Sequence, residues 1–520
     1  MATAPKQTAK QVASAPETPL SATSANVANT LPDYATGAGA LKLESAADLQ
    51  AQIDAMRAFF KTGATQDVNF RLQQLTRLKS WLKLHEAKVL DALEKDLGKC
   101  AYEGYMCELG LVYDEINMVK KHLRKWARPY SVPTPLAHFP ATSKVYPVPF
   151  GVAAVLSPWN YPINLSLVPF VDALAAGNCI LLKPSHSASA TDKVLAEMCD
   201  ELFPAHYITC IHGSHVNDWL LEVNVDKMFF TGSQNVGREI MGVCAQNLTD
   251  VTLELGGMSP CFVDCFADIP IAAERIAWGK CLNSGQTCVA PDYLLVHESV
   301  ADQLVWELNK AFKKYFGNDI LNNPEYPHMI SKHHFDRVCN LIDNHGEAAR
   351  VAVGGGRDSE TLKIEPTVMT GVTLDDPVMQ EEIFGPVLPL ITWRKIDEAV
   401  AVTEKFGHPL ACYIFSNDTD FQQYLLHRIP FGGATINDVV IHLANNHMGF
   451  GGFAQSGIGA YHGKVGFDCF THYKSTMKKT PLVEIPIRTA PYAGKLPLVE
   501  IPIRTAPYAG KLPLLKLFMH

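Results

Sequence analysis

No pair of cysteines in this 520-residue chain is spaced C-x-x-C, no stretch of 18 residues runs apolar without interruption, and no arginine occurs in residues 1–46. The first absence excludes a zinc ribbon, the second a membrane-spanning helix. The third speaks against a mitochondrial presequence, and the same 46 residues lack the apolar core of a secretory signal. They are rich in Ala, Thr, Ser and Pro and read as a flexible tail. There is also no excess of positive charge: 45 Lys and Arg against 53 Asp and Glu give −8. A nucleic-acid partner, which needs a basic stripe, is not expected. Thirteen cysteines, an odd number scattered over a large chain, form no disulfide framework and place the protein in a reducing compartment, the cytoplasm. What is present is ordinary globular composition, 47% hydrophobic and 19% charged, in a length that suits about three domains at ~150 residues each.

From Ala47 to Trp126 apolar residues recur at helical spacing: Leu72, Leu75, Leu78, Leu82, then Val89, Leu90 and Leu93. A proline-rich interval with the β-like run 143–146 follows and reads as an exposed extended arm or hairpin. After Gly151 short apolar runs alternate with helical stretches. Strands are expected at 152–156, 179–182, 207–211, 227–230, 252–255 and 261–263, with helices at 188–202 and 236–248. That alternation implies parallel pairing and an α/β architecture with ligands at the carboxyl ends of strands. A second α/β block covers about 269–437, with helices at 269–281 and 300–316 and a strand at 293–296. Residues 450–459 read as a glycine-rich loop and 467–475 as a strand. The segment 481–496, PLVEIPIRTAPYAGKL, recurs unchanged as 497–512, in units too short and proline-rich for a solenoid.

Five segments carry candidate chemistry. Cys288 closes Asn-Ser-Gly-Gln-Thr-Cys, where Gly285 permits a tight backbone that exposes the thiol and turns its N–H outward as an oxyanion donor. An arbitrary thiol among thirteen is more often a buried small hydrophobe. Glu254 lies inside the apolar strand Leu-Glu-Leu-Gly-Gly, where burial raises a carboxyl pKa and suits a general base, although a turn cap or a lysine partner would explain an isolated acid equally well. Asn160, between Pro158-Trp159 and Tyr161-Pro162, is a rigid amide able to hold an alkoxide, or simply a turn residue. The segment Phe-Phe-Thr-Gly232-Ser233, leading through Gln234 and Asn235 to Val236-Gly237 and a helix, offers backbone N–H groups for a phosphate, without being a G-x-G-x-x-G fingerprint. Lys183 ends a strand and suits a ribose or phosphate, or only solvent.

Together the motifs PWNYP, ILLKPS, FFTGSxxVG, LELGG, NSGQTC, EEIFGPV and FGGxxxSGxG, spread over about residues 59–475, closely resemble the aldehyde dehydrogenase superfamily. GQTCVAPDY and YHGKVGFD look like its class 3, fatty-aldehyde-like branch. The resemblance implies a Rossmann-like cofactor domain (47–129 and 149–255), an α/β catalytic domain (256–440) and a small β oligomerisation arm (130–148 and 460–478) that makes a homodimer. It implies NAD or NADP as cofactor, no metal, and medium- or long-chain aliphatic or aromatic aldehydes as substrates. Residue by residue, it makes Cys288 the nucleophile, Glu254 the base and Asn160 the oxyanion donor. Lys183 would meet the adenosine ribose, Gly232 to Gly237 the pyrophosphate, and Leu255, Glu382 and Phe384 the nicotinamide riboside, with Pro158 and Trp159 alongside.

Three positions depart from the family pattern. His186 replaces a Glu three residues after the ribose lysine, which removes a repulsion against a 2′-phosphate and implies that NADP is tolerated. Met258 replaces a lysine after LELGG, and the loop Phe450–Gly457 is slightly off pattern. Two rival readings stand beside hydrolytic oxidation. A CoA-acylating dehydrogenase has no use for the base Glu254, and a non-catalytic homologue would have lost Cys288 or Glu254.

Overall fold

The structure, a computed structural model, describes residues 43–481 apart from 136, 137, 139, 214 and 215. The tail before residue 43 and the repeat beyond residue 481 lie outside the described residues. Four long helices open the described chain: Ala46–Lys61, Val68–Leu84, Glu86–Leu97 and Gly110–Trp126, the last preceded by a π-helical turn, Tyr105–Leu109. Ser45 and Asp67 cap the first two by accepting backbone N–H bonds from Asp48 and Asn69. The face read from spacing is the buried one, with Leu75, Leu78, Val89 and Leu93 inaccessible.

The proline-rich interval forms β1 (Tyr130–Val132) and β2 (Ala141–Pro149), paired antiparallel. Pro147 and Pro149 are two residues apart, so their missing N–H groups fall on one edge, which β1 leaves uncovered beyond Val145.

A sheet of parallel strands follows: β3 (Val152–Leu156), β4 (Cys179–Lys183), β5 (Ile208–Cys210), β6 (Lys227–Gly232) and β7 (Asp250–Leu255). Their spatial order is β7-β6-β3-β4-β5. β3 and β4 are buried throughout, the mark of parallel strands covered on both faces. Because β4 and β6 flank β3 on opposite sides, the strand order reverses there, and a crevice opens at the carboxyl ends of β3 and β6.

The second sheet holds β8 (Pro260–Val263), β9 (Tyr293–His297), β10 (Arg350–Val353), β13 (Thr367–Thr370), β14 (Val387–Trp393), β15 (Ala411–Phe415) and β16 (Gly433–Ile436). Its order is β10-β13-β14-β9-β8-β15-β16, and only β10 runs antiparallel. A two-strand hairpin, β11 (Arg357–Asp358) and β12 (Lys363–Ile364), lies between β10 and β13 in sequence. Residues 457–458 form β17 (Gly457–Ile458), antiparallel on β7, and β18 (Thr471–Lys479) pairs with β2 along its full length.

Three expectations need correction. The strand expected at 467–475 starts only at Thr471, because Gly463–Cys469 is a helix that buries Gly463, Gly466 and Phe467. Residues 261–263, read with the first group of strands, belong to the second sheet. The helix Asn164–Ala176 carries no signal in the sequence: every one of its residues is buried, so no polar stripe betrays its period, and Pro169 lies inside it.

Candidate active site

The helix Ile269–Cys281 stops in a loop whose backbone is left-handed at three successive residues, Asn283, Ser284 and Gly285, with φ of 50°, 51° and 73°. At Gly285 the space is closed as well: a Cβ would sit 2.2 Å from the Gly385 carbonyl oxygen. The next residues are tied down one by one. The Gln286 side chain donates to the carbonyls of Asn283 and His328, at 2.9 and 3.0 Å, and accepts from the Ile330 N–H at 3.0 Å. Thr287 shares a 2.6 Å hydrogen bond with the Tyr161 hydroxyl, and Tyr413 donates to the Val289 carbonyl. Cys288, between these anchors, is partly exposed and faces a cavity of about 640 Å³. Glu254, Asn160, Leu255, Glu382 and Phe384 line the same cavity, as do Pro158, Trp159 and residues 232–235.

Glu254 is 2% exposed on β7, opposite Gly457 of β17, and its Oε1 has no hydrogen-bond partner among the described residues. Burial alone holds its carboxyl pKa well above the usual range. The Cys288 thiol is also pushed up, first by burial and then by the facing carboxyls of Glu254 and Glu382. Glu382 itself is raised to about 8, by burial and then by Asp292.

Asn160, at the carboxyl end of β3, is 2% exposed. Its Nδ2 donates to the Gln286 carbonyl at 3.1 Å, which uses one of two N–H groups and leaves the second. The Asn160 carbonyl in turn accepts from Lys99 Nζ and Asn283 Nδ2, both at 2.8 Å. Lys99 forms a wholly buried ion pair with Glu108 at 2.6 Å.

A second cavity, of about 460 Å³, shares Pro158, Trp159, Thr231, Gly232 and Ser233 with the first and extends to Lys183, His186 and Val236. Ser233 caps the helix Gln234–Asn247, whose N-terminus opens between the two. Gln234 donates to the Gly256 carbonyl at 3.1 Å. Gly237 lines neither cavity: it faces the core, where a Cβ would meet the Leu255 side chain at 2.6 Å. Of the residues expected at the site, Lys183 and Val236 line only the smaller cavity and Gly237 neither.

Several neighbours carry no signal in the sequence. His334 and Arg337, on the helix Lys332–Asp343, line the larger cavity, and Trp159 packs against both His334 and Phe384, with ring centroids 4.9 and 5.5 Å apart. Lys99, Glu103 and Glu108 fall within the helical region expected from Ala47 to Trp126. Only the fold turns them toward Asn160 and Asn283, so their spacing gave no signal.

Residues 21–476 match the sequence profile of the Aldehyde dehydrogenase family. The chain belongs to that family. Among similar proteins, a 4,4'-diaponeurosporen-aldehyde dehydrogenase of Staphylococcus aureus is 41% identical over 84% of this chain and 95% of its own length. The mouse aldehyde dehydrogenase family 3 member B2 is 38% identical over 85% and 91%. A solved structure described as a substrate-bound state of Staphylococcus aureus AldH superposes with a TM-score of 0.84 at 40% identity, covering 86% of this chain and 98% of that one. Like these aldehyde dehydrogenases, the protein is an oxidoreductase acting on aldehydes, of a family that uses nicotinamide cofactors.

Proposed function

We propose that the protein oxidises medium- or long-chain aliphatic or aromatic aldehydes to carboxylic acids, with NAD or NADP, through a thioester on Cys288. The observation that supports this most directly is the convergence of Cys288, Glu254 and Asn160 on one cavity. The S. aureus relative is named for 4,4'-diaponeurosporen-aldehyde, an aldehyde in keeping with this reading.

The residues fit a dinucleotide. Two adjoining cavities share a rim at a helix N-terminus, and two buried polar atoms on that path, Thr231 Oγ1 and Glu382 Oε1, have no partner among the described residues. Lys183 and His186 would hold the adenosine end, Gly232 to Val236 the pyrophosphate, and Leu255, Glu382 and Phe384 the nicotinamide riboside, with Gly237 serving by its lack of a side chain. The cofactor, when bound, supplies the hydride acceptor.

The Cys288 sulfur, as thiolate, adds to the aldehyde carbon, and the new alkoxide is met by the free Asn160 Nδ2–H and the Cys288 N–H. Collapse expels the hydrogen with its electron pair and leaves a thioester. Glu254, which has no cation beside it, takes a proton from water, and the hydroxide so formed displaces the thiol as the acid departs. The domain limits expected above follow the same reading, with β18 as the pairing strand of a homodimer. Thirteen unpaired thiols favour a cytoplasmic setting.

The test is NADH formation from decanal without coenzyme A, by wild type and Cys288→Ala. Activity in wild type and none in the variant is expected. Activity that needs coenzyme A, or an active variant, would overturn the reading.

A further inference from the structure

Behind Asn160, on the side away from the cavity, lies a charged assembly that the reaction does not itself require. Lys99 and Glu108 are both wholly buried, with Nζ and Oε1 2.6 Å apart. Each also holds the backbone around Asn160. Lys99 Nζ donates to the Asn160 carbonyl at 2.8 Å and lies 3.9 Å above the Tyr161 ring. Glu108 Oε2 accepts from the N–H groups of Ile163 and Asn164, both at 2.9 Å. The five residues from Asn160 to Asn164 are therefore gripped at both ends by one ion pair.

The second half of the oxyanion pocket hangs from the same assembly. Glu103 Oε1 accepts from the Asn283 N–H at 2.7 Å, and the Asn283 amide bridges the carbonyls of Asn160 and Gln286, at 2.8 and 3.0 Å. The loop that places the Cys288 N–H is thus joined to the loop that places the Asn160 amide through groups on 99–108, which run into the π-helical turn. A buried ion pair is poor evidence of stabilisation, since desolvation offsets most of its attraction, and an apolar pair of the same volume often folds as well. Its retention at this point is explained by orientation: two directed bonds fix a donor that must meet the developing charge within a few tenths of an ångström.

We infer that Lys99 and Glu108 are positioning residues for oxidation: together they aim the Asn160 amide and register it against the Cys288 loop. This rests on the reading of Asn160 as oxyanion donor. Neither residue lines either cavity.

The experiment uses the full chain and four proteins: wild type, Asn160→Ala, Lys99→Met, and Lys99→Met with Glu108→Gln. The single Lys99 variant strands a buried carboxylate and is expected to fold poorly. The double variant removes both charges yet keeps acceptors for the Ile163 and Asn164 N–H groups, so it is the deciding protein. Three readouts are compared: the NADH burst with decanal, the alkylation rate of Cys288 by iodoacetamide, and the dissociation constant of NAD.

Loss of one oxyanion donor costs about 10²–10³ in rate, and Asn160→Ala should show it. A donor kept but mis-aimed should lose about 10-fold or more in the burst. The double variant is expected to do so while alkylation and NAD binding stay within about twofold, since neither uses the Asn160 amide. A wild-type burst in the double variant would overturn the inference, and so would a uniform fall in all three readouts, the sign of a merely structural pair. If Asn160→Ala itself kept a full burst, the oxyanion reading would fall instead.

Discussion

The carboxylate of Glu382 stands so close over the backbone of Gly256 that a Cβ there would lie 2.0 Å from its Oε2. The side chain is half-buried, its Oε1 has no partner among the described residues, and burial first and Asp292 next raise its pKa to about 8. A group raised in this way stabilises the fold fully below its ordinary value near 4.5, and that contribution is lost as pH rises toward 8.

Glu382→Gln is therefore expected to melt above wild type at pH 8.5, by on the order of 5 °C, with the difference closing as pH falls to 4.5. The same variant should bind NAD several-fold more weakly. Calorimetry across pH with a parallel binding titration checks both, and a melting gap that is constant with pH would refute the assignment of the proton.

Gly285→Ala meets two obstacles at once, a φ of 73° and the Gly385 carbonyl at 2.2 Å. The loop must move, and the Cys288 sulfur with it. Turnover should fall by about 100-fold or more, and the melting temperature should drop. A variant with normal turnover would show that the left-handed loop is not needed to place the thiol.

The Cys288 thiol is raised by burial and by two carboxyls, so the thiolate is scarce at neutral pH. Its alkylation by iodoacetamide should climb about tenfold per pH unit from 7 to 9. Glu254→Gln removes one of those carboxyls. It should shift the alkylation profile to lower pH while turnover falls by about 10²–10⁴, since the base is gone. An upward or absent shift in the profile would contradict the geometry around the thiol.

His186 lines the smaller cavity with Lys183. In wild type NADP should support decanal oxidation, and His186→Glu should lower kcat/KM for NADP by about 10-fold, equivalent to ~1.4 kcal/mol, with little change for NAD. Unaltered cofactor ratios would remove this residue from cofactor choice.

How far the sequence disclosed this arrangement depends on the length over which a pattern acts. β3 and β4 are legible within a residue or two as short continuous apolar runs, and the helices 189–202, 269–281 and 301–316 because one buried face writes a period into neighbouring residues. The helix 164–176 was illegible for the opposite reason, being surrounded by protein on every side. Cys288, Glu254 and Asn160 stood out because each lies in a short motif whose neighbours are odd without a function. His334, Arg337 and the Lys99–Glu108 pair do not: charged residues in or between helices look solvated until the fold shows what covers them. At Gly237, expected among the pyrophosphate contacts, a Cβ would meet the Leu255 side chain, a closeness no sequence pattern announces.

The pairing of β17 with β7 also bears on how the protein is made. Until residue 458 has been synthesised, β7 is an open edge, and the strand that bears Glu254 has no antiparallel neighbour. Some 200 residues, the whole second sheet among them, must emerge before that edge is closed. A chain truncated before Gly457 would keep the nucleophile, the base and both cofactor cavities in sequence, yet would expose the unpaired border of β7 to other chains. Closing the border of the strand that bears Glu254 thus falls to one two-residue strand.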